Sequence, residues 1–277
     1  MRNRRNQMPI NIAELLTISM PTTKTSSPKP EKDYSYRTFF IKKRNGSKRK
    51  ICAPSPDLLK LQRTALPNMV AQFIKREQEL LGSEIFHGFI PGRNIVTCAQ
   101  LHKNLAHTIT LDISNCFDSI SYEMLKLPKD SKFIEHETFC LAQGFATSPI
   151  LSALYLLDPI AELVKLVRSI DPKGIITVYA DDIQISLTEQ SYDTLNRLIT
   201  YATFIMKKYH LAINPKKTRI RHSKYGNRKI LGIQVGSDLN PSRKLKKKIR
   251  AARHQKNGPS LGGLITASRM MLPKARR

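Results

Sequence analysis

The sequence predicts an α+β fold, because strand-like and helix-like segments follow one another in a particular order. Strand-like runs occupy residues 107–113, 175–180 and 183–188, and helix-like segments occupy residues 148–170 and 192–210. Together with a later strand, this is the order of a split βαβ (ferredoxin-like) unit. In that unit the end of the first strand lies beside the tip of the central strand–turn–strand, although about 70 residues separate them in the sequence.

The charge balance predicts a polyanionic partner. The 277 residues include 47 Lys and Arg against 21 Asp and Glu, which gives a net charge of +26. Nucleic acid is the commonest partner of so basic a chain, and a membrane surface is the alternative. No apolar run approaches the roughly 18 residues that are needed to span a bilayer. Residues 1–20 lack the continuous apolar segment of a signal peptide, so a cytoplasmic protein is expected.

The cysteines are too widely spaced to form a zinc-type pair. They are therefore predicted to be reduced and partly buried. They are Cys52, Cys98, Cys116 and Cys140.

The N-terminal part of the chain is divided by its turn-forming residues. Asn45-Gly46 predicts a β-hairpin, and Pro67 is expected to interrupt the helix in which it lies. The predicted elements are an N-terminal helix, a polar linker at 22–32, strands at 34–43 and 48–53, a helix at 55–79, a loop at 86–92 and a helix at 96–105.

The later part of the chain is predicted from hydrophobic periodicity. Ser148 is expected to cap the long helix with Pro149 in its first position, and Pro159 is expected to kink it. The predicted elements are helices at 133–143, 148–170 and 192–210, a short run at 211–213 before a lysine-bearing turn, a strand at 229–235, and a basic helical stretch at 242–256.

Three aspartates are expected to meet where the first strand ends beside the central turn. They are Asp112, Asp181 and Asp182. Like charges so close raise one another's pKa unless a cation is present, and oxygen ligands favour a hard divalent ion. Two such ions support nucleotidyl transfer. An Asp-Asp pair alone is also an ordinary turn sequence.

The residues around these aspartates resemble the catalytic motifs of reverse transcriptases. Tyr179-Ala180-Asp181-Asp182 is similar to the catalytic hairpin of that family, and the segment from Leu111 to Phe117 is similar to its first metal-binding strand. The resemblance implies two Mg²⁺ ions, with Mn²⁺ as an alternative, held by the three aspartates and Ile113. It also implies that Phe117 is a steric gate that favours dNTPs over NTPs; the alternative is a core phenylalanine.

Four further segments resemble parts of the same family. Gln143 and Gly144 are similar to the residues that contact template and nucleotide, and Lys217 is similar to the lysine that approaches the departing pyrophosphate. Leu231-Gly232 resembles the hairpin that grips the primer. The hairpin around Gly46 resembles the fingers of retron-type enzymes, which implies that Arg49 and Lys43 bind the triphosphate; a solvated basic turn is the alternative.

The resemblance leaves three subfamilies open. The segment 87–95 (HGFIPGRNI) is similar to retron and group II intron enzymes, and residues 98–102 (CAQLH) keep the alanine and histidine of a retron motif but lack its asparagine. Ile230-Leu231-Gly232 stands where retron enzymes usually have Val-Thr-Gly. Stand-alone bacterial enzymes of abortive infection are the third group.

The resemblance implies a right-hand polymerase. Its expected parts are an N-terminal extension and linker at 1–33, fingers at 34–106, a palm at 107–236 with fingers elements near 121–145, and a short basic thumb at 237–277. Arg243, Lys247 and Arg250 recur at helical spacing and are expected to bind nucleic acid, while Leu245 and Ile249 offer an apolar seam for docking this helix.

The expected function is RNA-directed DNA polymerisation in a bacterial cytosol, in a retron or another antiviral defence system. The expected partners are an RNA template, the nascent DNA, a dedicated non-coding RNA, and an effector protein or additional subunit. The rival functions are an RNA-dependent RNA polymerase and a polymerase-derived RNA-binding scaffold.

Overall fold

The computed structural model describes residues 32–43, 46–226 and 228–255, together with residue 265. The predicted N-terminal helix, nearly all of the linker, Asn45 and nearly all of the predicted thumb after residue 255 lie outside these residues. The chain has an α+β fold and forms two compact units. The first comprises the described residues up to Ser83 together with Asn115–Ile160, and the second comprises Glu84–Ser114 and the described residues from Ala161 onward.

The predicted N-terminal hairpin is confirmed in the first unit. Strand β1 (Tyr36–Lys42) pairs antiparallel with β2 (Lys48–Pro54), from Tyr36 opposite Pro54 to Lys42 opposite Lys48. The connection closes where the Lys43 N–H donates to the Ser47 carbonyl at 2.7 Å. Gly46 has φ 86°, a left-handed conformation that glycine adopts without steric cost.

Helix α1 (Pro56–Leu81) runs through Pro67, so the predicted interruption is wrong. Proline within a helix costs about 3 kcal/mol. Burial of the apolar stripe on both sides of that position outweighs this cost; the stripe comprises Leu58, Met69, Phe73 and Leu81. The Ser55 side chain caps the start of the helix, and Gly82 ends it in the left-handed conformation.

Residues 133–143 form turns, and the helix predicted there is wrong. The Glu135 carboxylate accepts hydrogen bonds from the backbone N–H groups of Glu137 and Thr138, at 3.1 and 3.0 Å, and from the Thr138 hydroxyl. Phe139 has φ 55°, which a right-handed helix does not allow. Local side-chain bonds therefore replace the helical ladder here.

Helix α2 (Ile95–Leu101) is shorter than predicted, and helix α3 (Ser148–Ile170) has the predicted bounds with Pro159 inside it. The capping role expected for Ser148 is wrong. The Leu151 N–H donates to the Thr147 carbonyl at 3.0 Å, so Thr147 precedes the helix and Ser148 lies within its first turn. In the described residues the Ser148 hydroxyl is buried without a hydrogen-bond partner.

The second unit contains a four-stranded antiparallel sheet. Its strands lie in the order β4-β5-β3-β6. Its strands are β3 (His107–Asp112), β4 (Ile175–Tyr179), β5 (Asp182–Leu187) and β6 (Arg219–His222). This is the strand order of the predicted split βαβ unit. Alternate residues of β3 and β5, such as Ile109, Leu111, Ile183 and Ile185, are fully buried, which fixes the register.

A second, three-stranded sheet packs on α2 in the same unit. It consists of β7 (Arg228–Ile230), β8 (Ile233–Val235) and β9 (Leu239–Asn240). The single strand predicted at 229–235 is therefore wrong. Leu231 and Gly232 have φ 47° and 83°, which turns the chain into a two-residue hairpin. Ile230 and Ile233 pack against Val96 and Ala99.

Two more helices complete the described chain, α4 (Tyr192–Lys208) and α5 (Arg243–His254). Among the described helices, no segment combines the length and the apolarity that crossing a membrane requires. Cys52, Cys98 and Cys116 are buried free cysteines, and Cys140 is partly buried, as predicted.

Candidate active site

The β4–β5 hairpin and the end of β3 bring the three aspartates together. Tyr179 lies opposite Asp182 across the hairpin, and Asp112 lies opposite Asp182 across β3 and β5. The Ile113 N–H donates to the Asp181 carbonyl at 2.9 Å, which ties the turn to the residue after β3. The juxtaposition predicted from the element order is therefore confirmed.

The acidic cluster is electrostatically strained. Burial, followed by the negative charges of Asp181 and Asp112, raises the pKa of Asp182 to about 6. The Lys217 ammonium opposes this effect; its Nζ lies 2.6 Å from Asp112 Oδ1. That hydrogen bond to Asp112 is also the main cause of a raised pKa at Lys217. The carboxylates therefore attract a cation, and a lysine supplies one.

A short loop before β6 carries that lysine. The Asn214 N–H donates to the Asp112 carbonyl at 2.8 Å, and the Asn214 side chain accepts from the Lys216 N–H at 3.1 Å. The Thr218 hydroxyl donates back to the Asn214 carbonyl at 3.0 Å. Asn214 thus fixes the loop to the end of β3 and presents Lys217 to the acidic cluster.

The donor set suits a hard divalent cation. Asp112, Asp181 and Asp182 offer carboxylate oxygens on the ends of adjacent strands, and magnesium is usually bound through one or two carboxylates together with substrate phosphates. The Lys217 ammonium supplies a positive charge beside the Asp112 carboxylate. Ile113 is buried beside them, and the metal-binding role expected for it remains a prediction.

Sequence reasoning did not foresee that residues 85–88 support the acidic hairpin. The His87 N–H donates to the Val178 carbonyl at 2.8 Å, and the Val178 N–H donates to the Ile85 carbonyl at 2.9 Å. A Cβ on Gly88 would lie 2.7 Å from the Ala180 nitrogen. The glycine in the motif at 87–95 was the available signal, since only glycine permits so close an approach.

Arg93 and Phe89 extend this support. The Arg93 guanidinium donates to the Phe86 carbonyl at 2.7 Å. The Phe89 ring lies 6.4 Å from the Tyr179 ring, centroid to centroid. The motif at 87–95 therefore acts as a brace for the turn that carries Asp181.

The sequence profile described as "Reverse transcriptase (RNA-dependent DNA polymerase)" matches residues 41–235, more than half of the chain, including all three aspartates and Lys217. The chain belongs to the reverse transcriptase family.

Curated relatives of this reverse transcriptase chain include two retron enzymes. It is 26% identical to the retron Mx65 reverse transcriptase of Myxococcus xanthus, with 86% of this chain and 62% of that protein covered. It is also 26% identical to the retron Ec48 reverse transcriptase of Escherichia coli, with 88% and 63% covered. The chain thus spans less than two thirds of the length of these relatives.

A solved structure supports the fold. Telomerase from Candida albicans, in complex with a TWJ fragment of telomeric RNA, superposes with a TM-score of 0.52 at 12% identity. The match covers 76% of this chain and 46% of that chain. At this identity the likeness concerns the fold alone.

The Gln143-Gly144 segment of this reverse transcriptase lies against β2. The Cys52 N–H donates to the Gln143 carbonyl at 2.8 Å. Gly144 has φ 117°, and a Cβ there would overlap the Cys52 carbonyl oxygen, so glycine is required. The segment is rigidly placed, and its expected contact with template and nucleotide remains a prediction.

Two basic residues of β2 have different surroundings. Lys50 Nζ lies 3.1 Å from Glu135 and 2.6 Å from Glu137. Arg49 is exposed, and because strand residues alternate it points to the other face of the hairpin. Lys43 is partly exposed where the strands end. Arg49 and Lys43 therefore remain candidates for triphosphate binding.

The roles predicted for Phe117 and for the α5 cations remain predictions. Phe117 is partly buried in a 3₁₀ helix (Phe117–Ser119). Arg243, Lys247 and Arg250 are exposed on α5, whereas Ile249 and Ala252 are buried. The side chain of Leu245 lies outside the described residues.

His102 is a core residue in this structure. Its Nδ1 lies 2.9 Å from the Ser186 hydroxyl, and its Nε2 lies 2.8 Å from the Thr177 hydroxyl. Burial, assisted by the positive charge of Arg228, lowers the pKa of His102 to about 3. A neutral ring with both nitrogens bonded links β4 to β5 and explains the histidine of the segment 98–102.

Proposed function

We propose that this chain is an RNA-directed DNA polymerase that adds dNTPs to a primer on an RNA template. The observation that carries the proposal is Asp112 opposite Asp182, with Lys217 bonded to Asp112. The family membership supports the same conclusion.

The site residues divide the work by their chemistry. Asp112, Asp181 and Asp182 would hold two Mg²⁺ ions, with Mn²⁺ as an alternative. When bound, such ions lower the pKa of the attacking hydroxyl and stabilise the leaving pyrophosphate. Lys217 already lies in this cluster, so its ammonium can exchange the Asp112 oxygen for a phosphate oxygen and offset negative charge there.

In this proposal Phe117 selects the sugar of the incoming nucleotide. An aromatic side chain five residues after Asp112 would exclude a 2′-hydroxyl by its bulk. The same feature disfavours the rival RNA-dependent RNA polymerase, which must accept that hydroxyl. Three clustered carboxylates disfavour the rival RNA-binding scaffold, because uncompensated acids weaken nucleic-acid binding.

The architecture that fits this function is a right-hand polymerase with the split βαβ sheet as its palm. Residues 1–33 would form an N-terminal extension and linker, and residues 34–106 the fingers. Residues 107–236 would form the palm, with fingers elements near 121–145, and residues 237–277 a short basic thumb. The exposed cations of α5 support a nucleic-acid contact, since Lys and Arg bind backbone phosphates.

The proposed partners are an RNA template, the nascent DNA, a dedicated non-coding RNA, and an effector protein or additional subunit. The proposed setting is a retron or another antiviral defence system in a bacterial cytosol. Two observations support it: the chain is strongly basic, and the curated relatives are retron reverse transcriptases.

The decisive experiment is dNTP incorporation by Asp112→Asn and Asp182→Asn on a primed RNA template. Each variant should lose at least about 1000-fold in rate, because each removes a carboxylate from the metal site. RNA affinity, measured by filter binding, should stay equal or rise. The control is Asp193→Asn, which changes an exposed carboxylate that pairs with Arg197 on α4 and should keep full activity. Full incorporation by Asp182→Asn would refute the assignment.

A further inference from the structure

A second cluster of ionisable side chains lies at the other end of β3. His107 is the first residue of β3, and His222, the last residue of β6, lies directly opposite it. Glu189 follows β5 and reaches both rings. Its carboxylate oxygens lie 3.3 Å from His107 Nε2 and 3.0 and 3.1 Å from His222 Nε2.

The two imidazoles are held firmly, whereas the carboxylate is open to solvent. The side chains of His107 and His222 are 2% and 6% exposed, and that of Glu189 is 73% exposed. The ring centroids of the two histidines are 4.5 Å apart. Tyr192 packs edge-on against His107, and Tyr225 lies beside His222. The protein therefore pays little conformational entropy to bring the nitrogens together.

The spacing of the three donor atoms matches a transition-metal site. A tetrahedral zinc ion with ligand bonds of about 2.0 Å has its donor atoms about 3.3 Å apart. The oxygen–nitrogen distances in this cluster lie between 3.0 and 3.3 Å, and donor atoms from all three residues lie within 4.8 Å of one another. The oxygen–nitrogen spacings therefore already suit such an ion.

We propose that His107, His222 and Glu189 form a binding site for a divalent transition-metal ion of the zinc class. Two imidazoles and one carboxylate supply three ligands, and the exposed side leaves a fourth position for water. The site is separate from the aspartate cluster, because β3 extends about 17 Å from His107 to Asp112 at its usual rise. Imidazole ligands suit zinc, copper or nickel, whereas the aspartates suit magnesium.

The state of each ring without an ion affects the affinity. The Glu189 carboxylate accepts from His107 Nε2, so the neutral ring carries its proton on Nε2, and binding an ion there must move that proton to Nδ1. His222 Nδ1 accepts the Lys224 N–H at 2.9 Å, which places the proton on Nε2. Binding of an ion to His222 Nε2 must break this hydrogen bond to Lys224. The affinity for the ion is therefore about tenfold lower than it would be without that bond.

An ion at this position would be structural. In the described sheet β6 is the edge strand, paired with β3, and it directly follows the loop that carries Lys217. The ion would join β3, β6 and the residue after β5, and so stabilise the strand that anchors the loop.

The test is a titration of the untagged full-length chain with Co²⁺, after EDTA treatment and with excess Mg²⁺ to occupy the aspartates. Tetrahedral Co²⁺ with nitrogen ligands has strong visible absorption, and Zn²⁺ should displace it. Glu189→Gln is the main variant, because this exposed side chain can be replaced without disturbing the core. Glu79→Gln, an exposed carboxylate on α1, and Asp182→Asn are the controls.

We expect one tetrahedral Co²⁺ per chain, and an affinity at least about tenfold lower in Glu189→Gln. Both controls should keep the spectrum. The melting temperature should increase with Zn²⁺ concentration in the unchanged chain and much less in Glu189→Gln. No tetrahedral spectrum, equal affinity in Glu189→Gln, or loss of the spectrum in Asp182→Asn would each overturn the proposal. In each of these cases the three residues form a metal-free hydrogen-bonded cluster.

Discussion

The acidic and the basic hairpin, which both carry predicted site residues, differ in how they are supported. The acidic β4–β5 hairpin is part of a four-stranded sheet and is braced on its outer side by residues 85–88. The basic β1–β2 hairpin is a two-stranded sheet, and Phe40 and Ile41 on it are 62% and 50% exposed. The residues proposed to hold metal therefore lie on a hairpin supported on both sides, and those proposed to hold the triphosphate lie on a two-stranded hairpin with exposed apolar side chains.

Among the variants that compare the two hairpins, the largest effect is expected from Gly88→Ala. A methyl group 2.7 Å from the Ala180 nitrogen must displace the turn that holds Asp181. A displacement of about 1 Å at a catalytic group costs about 100-fold in rate. Steady-state dNTP incorporation measures this loss, and circular dichroism verifies that the variant is folded.

The matched variant is Gly46→Ala on the basic hairpin. Gly46 has a positive φ, and a Cβ there meets no atom within 4 Å. The expected cost is about 1 kcal/mol of local backbone strain and little change in rate. Equal activity of the two variants would show that the brace does not position the acidic turn.

Much of this contrast could be predicted from the sequence. Asn45-Gly46 between two strand-like runs is a sufficient local signal for the basic hairpin. The meeting of Asp112 with Asp182 followed from the order of the elements, because a split βαβ unit has a known strand order. Both inferences depend on short-range patterns or on topology, which sequence periodicity reports directly.

The remaining features depend on tertiary contacts that periodicity does not report. Residues 133–143 form turns instead of a helix because the Glu135 carboxylate bonds to nearby N–H groups and to Lys50, which is distant in sequence. Arg228 would be assigned to the surface by its charge, yet it is 1% exposed and donates to the Thr108 hydroxyl and the His102 carbonyl. The brace formed by Gly88 required knowing which backbone it approaches.

An intermediate effect is expected from pH on the support of the basic hairpin. Burial alone would raise the pKa of Glu135, but hydrogen bonds from the Thr138 hydroxyl and Lys50 outweigh it and lower the pKa to about 2. Glu135 is ionised in both states above its ordinary pKa of 4.5, so its contribution is complete there. As the pH falls from 4.5 towards 2, the unfolded chain binds the proton first and this stability is lost.

The contribution of Glu135 should be on the order of 2 to 3 kcal/mol. Urea unfolding of the unchanged chain and of Glu135→Gln, at pH 6 and at pH 3, measures it. The difference between the two chains should shrink at pH 3. The exposed Glu79→Gln variant is the control and should show a small, nearly constant difference. A Glu135→Gln difference that does not depend on pH would contradict the role assigned to this carboxylate.

The smallest effect is expected from Arg49→Ala, which tests whether the basic hairpin binds the triphosphate. Arg49 lies on the face opposite Lys50, whose ammonium is already paired with Glu135 and Glu137. An exposed guanidinium suits a phosphate because it offers two parallel N–H donors. Loss of one such contact on an exposed hairpin should raise the KM for dNTP about tenfold and leave kcat nearly unchanged. Arg49→Lys keeps the charge and should recover part of the affinity.

Arg37→Ala is the positional control, since Arg37 shares the Arg49 face at the other end of β1 and should leave KM unchanged. An equal rise in KM for Arg37→Ala and Arg49→Ala would mean that the hairpin supplies only diffuse positive charge. A fall in kcat without a change in KM would mean that Arg49 acts in the transition state. The basic hairpin would then be held as firmly as the acidic hairpin when the nucleotide reacts.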